Sequence, residues 1–122
     1  MKPETLIFDK VRLIIPNGSS KTVFFASVTE TSYEVFFYTY INANPIQCFD
    51  LAEQNLLDEN ELDAVFAYIV EVIRNADVYK KDKNNIATII VDKSSVKIDM
   101  TYVDKDARLY KIKKEWKQKN IL

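Results

Sequence analysis

The stretch Tyr33 to Ile41 constrains this chain more than any other. Read as a strand, with side chains alternating between faces, it places Tyr33, Val35, Phe37, Thr39 and Ile41 on one side and Glu34, Phe36, Tyr38 and Tyr40 on the other. Both sides are aromatic. A strand with one wet face reads apolar on one side and polar on the other, so this one requires cover on both faces, or one face used for binding. The preceding residues, Thr22 to Thr29, alternate Phe24, Ala26 and Val28 against Val23, Phe25 and Ser27. A short polar turn joins the two runs, which is the signature of a hairpin.

The rest of the pattern supplies partners for that hairpin. Residues 4 to 15 carry Ile7, Val11 and Ile14, with Leu6 and Ile15, at spacings of three, four and seven, an amphipathic helix stopped by Pro16-Asn17-Gly18. Asn42 to Pro45 reads as a turn, Ile46 to Phe49 as a third short strand holding Cys48, and Asp50 to Leu57 as an acidic connector. Asp58 with Glu61 three residues on suggests a capping box ahead of the stripe Leu62, Val65, Phe66, Ile69, Val72 and Ile73. After a polar loop from Lys80 to Asn85, Ile86 to Val91 and Val96 to Val103 form a second hairpin. In its latter strand Val96, Ile98, Met100 and Tyr102 alternate with Lys97, Asp99, Thr101 and Val103, one face in and one wet. A last helix from about Ala107 to Gln118 aligns Leu109, Ile112 and Trp116. The expected fold is α+β, order αβββαββα: an antiparallel sheet of about five strands with helices packed on it. With 122 residues and 48% hydrophobic content the chain suits one domain spanning residues 1–122.

Absent residue types narrow the function. Without histidine, and with Cys48 alone, no histidine-dependent nucleophile, histidine-ligated zinc, cysteine cluster or internal disulfide is available. One glycine, Gly18, rules out a glycine-rich phosphate loop. The expectation is a protein that is not an enzyme and takes no cofactor or metal. Carboxylate pairs such as Glu30 and Glu34 read as solvated surface. Cys48, beside Phe49 and far in sequence from any base, is expected to be buried and inert. Apolar runs, the longest being the seven residues Ala64 to Val70, fall far short of the roughly 20 that span a bilayer. The acidic start from Met1 to Asp9 lacks the form of a signal peptide. A cytoplasmic location is expected, with no membrane partner.

Charge is divided along the chain. Residues 1 to 78 carry 5 Lys+Arg and 12 Asp+Glu, whereas residues 79 to 122 carry 12 and 6. The sharpest acidic piece holds Asp50, Glu53, Asp58, Glu59, Glu61 and Asp63 without a single base. Helix starts favour acids for local reasons, but such a segment would also steer a cationic partner toward it. The basic counterpart is Lys105, Arg108, Lys111, Lys113, Lys114, Lys117 and Lys119, interleaved with Tyr110 and Trp116 and diluted by Asp104, Asp106 and Glu115. Its plain reading is a solvated helix face, and a sequence pI of about 5.5 argues against nucleic acid. The Tyr/Phe density of residues 22 to 41 is chiefly core, with Tyr38 and Tyr40 as possible interface anchors.

Several pieces together resemble the YezG-like immunity protein family. They are Ile14-Ile15-Pro16, Val23 to Val28, Ser32-Tyr33-Glu34-Val35-Phe36-Phe37-Tyr38, Val96-Lys97-Ile98-Asp99-Met100-Thr101-Tyr102, and the ending Tyr110, Lys113, Trp116, Asn120-Ile121-Leu122. The likeness runs along nearly the whole chain. It implies a small bacterial cytoplasmic antitoxin that binds and neutralises a nuclease-type toxin domain. The expected partner is a cognate, cationic toxin domain occluded one-to-one; the resemblance assigns no binding residue, and the charge pattern by itself makes Asp50, Glu53, Asp58, Glu59, Glu61 and Asp63 the candidate partner-binding surface. The alternative is a nucleic-acid-binding or regulatory module using the basic C-terminal helix. A third reading is an adaptor holding an apolar peptide or small ligand on the aromatic sheet.

Overall fold

A computed structural model describes residues 2–93, 95–104 and 108–121. Five antiparallel strands form one sheet in the order β3-β2-β1-β4-β5. They are β1 (Ser19–Val28), β2 (Tyr33–Ile41), β3 (Asn44–Gln47), β4 (Ile86–Val91) and β5 (Val96–Thr101). The helices are α1 (Pro3–Val11), α2 (Cys48–Glu53), α3 (Glu59–Asn75), α4 (Asp77–Asp82) and α5 (Leu109–Asn120). The αβββαββα order holds, with α2 and α4 added as short helices where the sequence suggested an acidic connector and a polar loop. Lys105, Asp106, Ala107 and Leu122 lie outside the described residues.

Helices pack on both faces of the hairpin, one of the two outcomes its double aromatic pattern allows. Directly opposed residues of an antiparallel pair point to the same side, so Phe24, Phe37, Ile89 and Ile98 share one face through the pairings Phe24↔Phe37, Phe24↔Ile89 and Ile89↔Ile98. Phe24 and Phe37 are in ring contact at 4.8 Å, and Phe66 of α3 meets both edge-on at 6.4 and 6.3 Å. On the opposite face Phe25 stacks on Phe36 at 5.0 Å, and Trp116 of α5 packs edge-on against both at 5.3 and 5.6 Å. Trp116 is buried and its indole Nε1 donates to Thr88 Oγ1 at 2.8 Å, so its one polar atom is satisfied.

Local chemistry sets the element ends. α1 stops at Val11, earlier than the apolar periodicity suggested, and Ile14 N–H instead bonds Val11 O at 3.0 Å in a following turn that still buries Ile14. Gly18 then takes φ +88 in open space, so its backbone rather than crowding demands glycine there. Asn42 and Ala43, both at positive φ (53 and 66), make the two-residue turn between β2 and β3. That turn starts β3 earlier than expected and ends it before Cys48, which opens α2 instead of lying in a strand. Arg74, near the end of α3, donates from Nε and Nη2 to Thr29 O at 3.0 and 2.7 Å and ties down the β1–β2 turn. β5 ends at Thr101 rather than Val103: beyond it the Asn85 side chain, not a neighbouring strand, exchanges two 2.9 Å hydrogen bonds with the Val103 backbone. Tyr102, expected on the inner face, is exposed.

Candidate functional site

The acidic segment folds as α2, a turn and the first turns of α3. α2 buries Cys48, Leu51 and Ala52 and leaves Phe49, Asp50 and Glu53 exposed. The chain reverses at Asn55, which takes φ 60, while Leu56 N–H reaches back to Leu51 O at 2.9 Å. Asp58 caps α3, its Oδ1 accepting from Asn60 N–H at 2.7 Å and Glu61 N–H at 3.4 Å. Asp58 is thereby partly committed to the helix start, as its sequence position foretold. Glu59, Glu61 and Asp63 follow on exposed positions of α3.

All six carboxylates are exposed, and among the described residues none is in an ion pair. Two large apolar side chains of the same segment, Phe49 and Leu56, are also exposed. Glu61 borders a shallow groove between α1 and α3 whose lining includes Leu13, Ile14, Val65 and Tyr68. Leu13 stands 68% exposed beside it, and Lys10 Nζ lies over the Tyr68 ring at 5.2 Å. The acidic segment thus exposes apolar side chains as well as carboxylates, and at Glu61 it adjoins the exposed Leu13. The sequence pattern flagged its charges but not Leu13, Phe49 or Leu56, because helical periodicity assigned Leu13 no special place and Phe49 was read into a strand.

The basic counterpart lies on α5. Trp116 turns to the sheet, with Leu109 and Ile112 half-buried beside it, whereas Tyr110, Lys114 and Lys117 are exposed. Lys113 Nζ pairs with Glu34 Oε1 of β2 at 2.7 Å, so Glu34 is tied to α5 and not to Glu30. Tyr38 and Tyr40 are half-buried rather than free anchors. Lys117 Nζ covers the Tyr38 ring at 5.3 Å, and Tyr40 Oη donates to Ile121 O at 3.0 Å, fastening the end of α5 to β2.

Cys48 is fully buried, and burial pushes its thiol up to about 11, against a partial lowering by backbone N–H groups around Phe37 and Phe49. A thiol held protonated is a poor nucleophile. Among the described residues no group of three or more His, Cys, Asp or Glu is placed to hold a metal ion, and no helix is long and apolar enough to cross a membrane. No family model and no curated protein matches this chain.

Proposed function

We propose that this protein is a binding protein of the immunity type, a stoichiometric inhibitor that docks a cationic toxin domain of nuclease class on the α2–α3 surface. The observation that carries this reading is that Asp50, Glu53, Asp58, Glu59, Glu61 and Asp63 are all exposed without ion-pair partners among the described residues. Carboxylates already paired within the molecule would have to exchange one partner for another. Unpaired ones contribute their full field to encounter and register. The exposed Leu56 and Leu13 supply the apolar points that charge alone lacks, since interfaces draw affinity from a few buried anchors inside a polar rim. The likeness to the YezG-like immunity proteins points the same way, and the run of six carboxylates suggests by its charge that this surface stands in for nucleic-acid phosphates. On this reading the protein acts in the cytoplasm, without catalysis or cofactor.

Co-expression with the product of the adjacent upstream reading frame tests it. A one-to-one complex that rescues growth is the expected result; absence of both complex and rescue rejects the reading. The variant Glu59→Gln/Glu61→Gln/Asp63→Asn separates role from mechanism. Weaker binding with a shallower salt dependence supports phosphate mimicry, whereas unchanged affinity and salt dependence would reject it. Asp58→Asn belongs in the same series, because asparagine caps as well as aspartate and removes only the charge.

A further inference from the structure

On the α5 face of the sheet lies an open groove of about 400 Å³. Its floor is Phe36 and Tyr38 of β2, and its walls are Phe49 from α2 and Tyr110 from α5. Phe49 is 49% exposed and Tyr110 77%. Three lysines of α5 also line it: Lys113, Lys114 and Lys117. Tyr110, Lys113, Lys114 and Lys117 fall at helical spacings of zero, three, four and seven, so one row of α5 builds this side while Leu109, Ile112 and Trp116 hold the helix to the sheet.

The charges are unbalanced. Among the described residues Glu34 is the one acid in the lining, and its carboxylate is already taken by Lys113. Lys114 and Lys117 leave the groove with excess positive charge beside two open aromatic rings. Glu53, one turn after Phe49 on α2, lies outside the lining.

We propose that this groove binds single-stranded nucleic acid, with bases stacking on Phe49 and Tyr110 and phosphates meeting Lys114 and Lys117. Lysines alone would suit any polyanion; the exposed rings make the choice. An acidic peptide offers carboxylates to the lysines, but its acidic groups carry no aromatic face to stack on two open rings. A duplex keeps its bases stacked inside and out of reach of them. Single strands offer both a charged backbone and free base faces, and aromatic platforms beside basic side chains are how proteins hold them without reading sequence. This goes beyond toxin binding; the two surfaces meet at α2, where Phe49 stands beside Asp50, so Tyr110→Ala and Lys114→Gln/Lys117→Gln, which leave the six carboxylates unchanged, let either reading fail without the other.

The test is fluorescence anisotropy of a labelled single-stranded oligonucleotide of about ten nucleotides, titrated with the full chain at low ionic strength, where charge attraction is strongest. Saturable binding is expected. Tyr110→Ala and Phe49→Leu should each weaken it roughly tenfold by removing a stacking face. Leucine at position 49 keeps an apolar side chain on α2 and so preserves folding. Lys114→Gln/Lys117→Gln should lower the slope of log affinity against log salt by about 1.4. No binding at low ionic strength overturns the proposal, and so do ring variants that bind like the parent. Equal binding of a duplex or of polyglutamate also overturns it, in favour of an acidic-partner surface.

Discussion

The two faces of the sheet are closed in different ways. Under α1 and α3 the closure is broad: α3 buries Leu62, Val65, Phe66, Ile69, Val70, Val72 and Ile73, and α1 adds Ile7 and Val11. On the other face α5 buries Trp116 alone, with Leu109 and Ile112 half-buried. One large indole replaces a stripe of aliphatic groups, and beside it the sheet stays partly open at Tyr38 and at the groove. Toward β5 the same face is wet, with Lys97, Asp99 and Thr101 exposed. The comparison teaches that aromatic residues on both sides of a strand do not imply two equal cores. One side is core throughout; the other is core at its centre and open groove at its rim.

The largest effect should come from opening the broad side. Phe37→Ala removes a fully buried ring in contact with Phe24 and Phe66 and should cost about 3–5 kcal/mol in urea unfolding. Trp116→Ala should cost about 3 kcal/mol, the low end for an aromatic truncation, because water and neighbouring side chains can enter from the open groove. Equal losses at the two sites would break the comparison. Trp116→Phe keeps the packing with Phe25 and Phe36 but removes the donor to Thr88, and about 1 kcal/mol is expected.

Cys48 sharpens the view of the edge between the faces. Its thiol is raised to about 11 in the folded state by burial, above the value near 8.5 expected for an unfolded chain. Its contribution to stability is complete below the unfolded value and is lost as pH rises toward the folded one, because the unfolded thiol releases its proton first. The urea midpoint should therefore fall more steeply above about pH 8.5 in the parent than in Cys48→Ala. Parallel pH profiles would place the thiol in contact with water. The smallest effect belongs to the half-exposed Glu34–Lys113 pair: Glu34→Gln should cost about 0.5 kcal/mol, shrinking as salt is added. A salt-insensitive loss would mean that the pair holds α5 by packing and not by charge.

The periodic elements were legible in the sequence because a side chain's position in a strand or helix is fixed by its spacing. β2 matched its expected span from Tyr33 to Ile41, β4 matched Ile86 to Val91, and Asp58 capped α3. The errors fell where the chain changes direction. Cys48 and Phe49 alternate plausibly as a strand, yet the tight Asn42-Ala43 turn uses up β3 early and the next residues wind into α2. That one shift moved Phe49 from an expected strand to the wall of a groove. Each candidate surface was half legible for the same reason. Charges such as Glu59 or Lys114 follow from composition and helical spacing, but the exposed Phe49, Leu56 and Leu13 do not, because local pattern cannot tell an apolar residue that finds a neighbour from one that does not.

By itself, then, the sequence determined the residue chemistry, the double-sided hairpin at the centre of the sheet and the split of charge between the halves of the chain. These depend on identity and spacing. The tertiary structure alone decided which elements cover which face, where cover runs out, and that Tyr110 and Phe49, far apart in the chain, line one groove. Long-range packing sets these, through the register of β1 between β2 and β4 and through Trp116 seating on Phe25 and Phe36. Neither is written in any local window of residues.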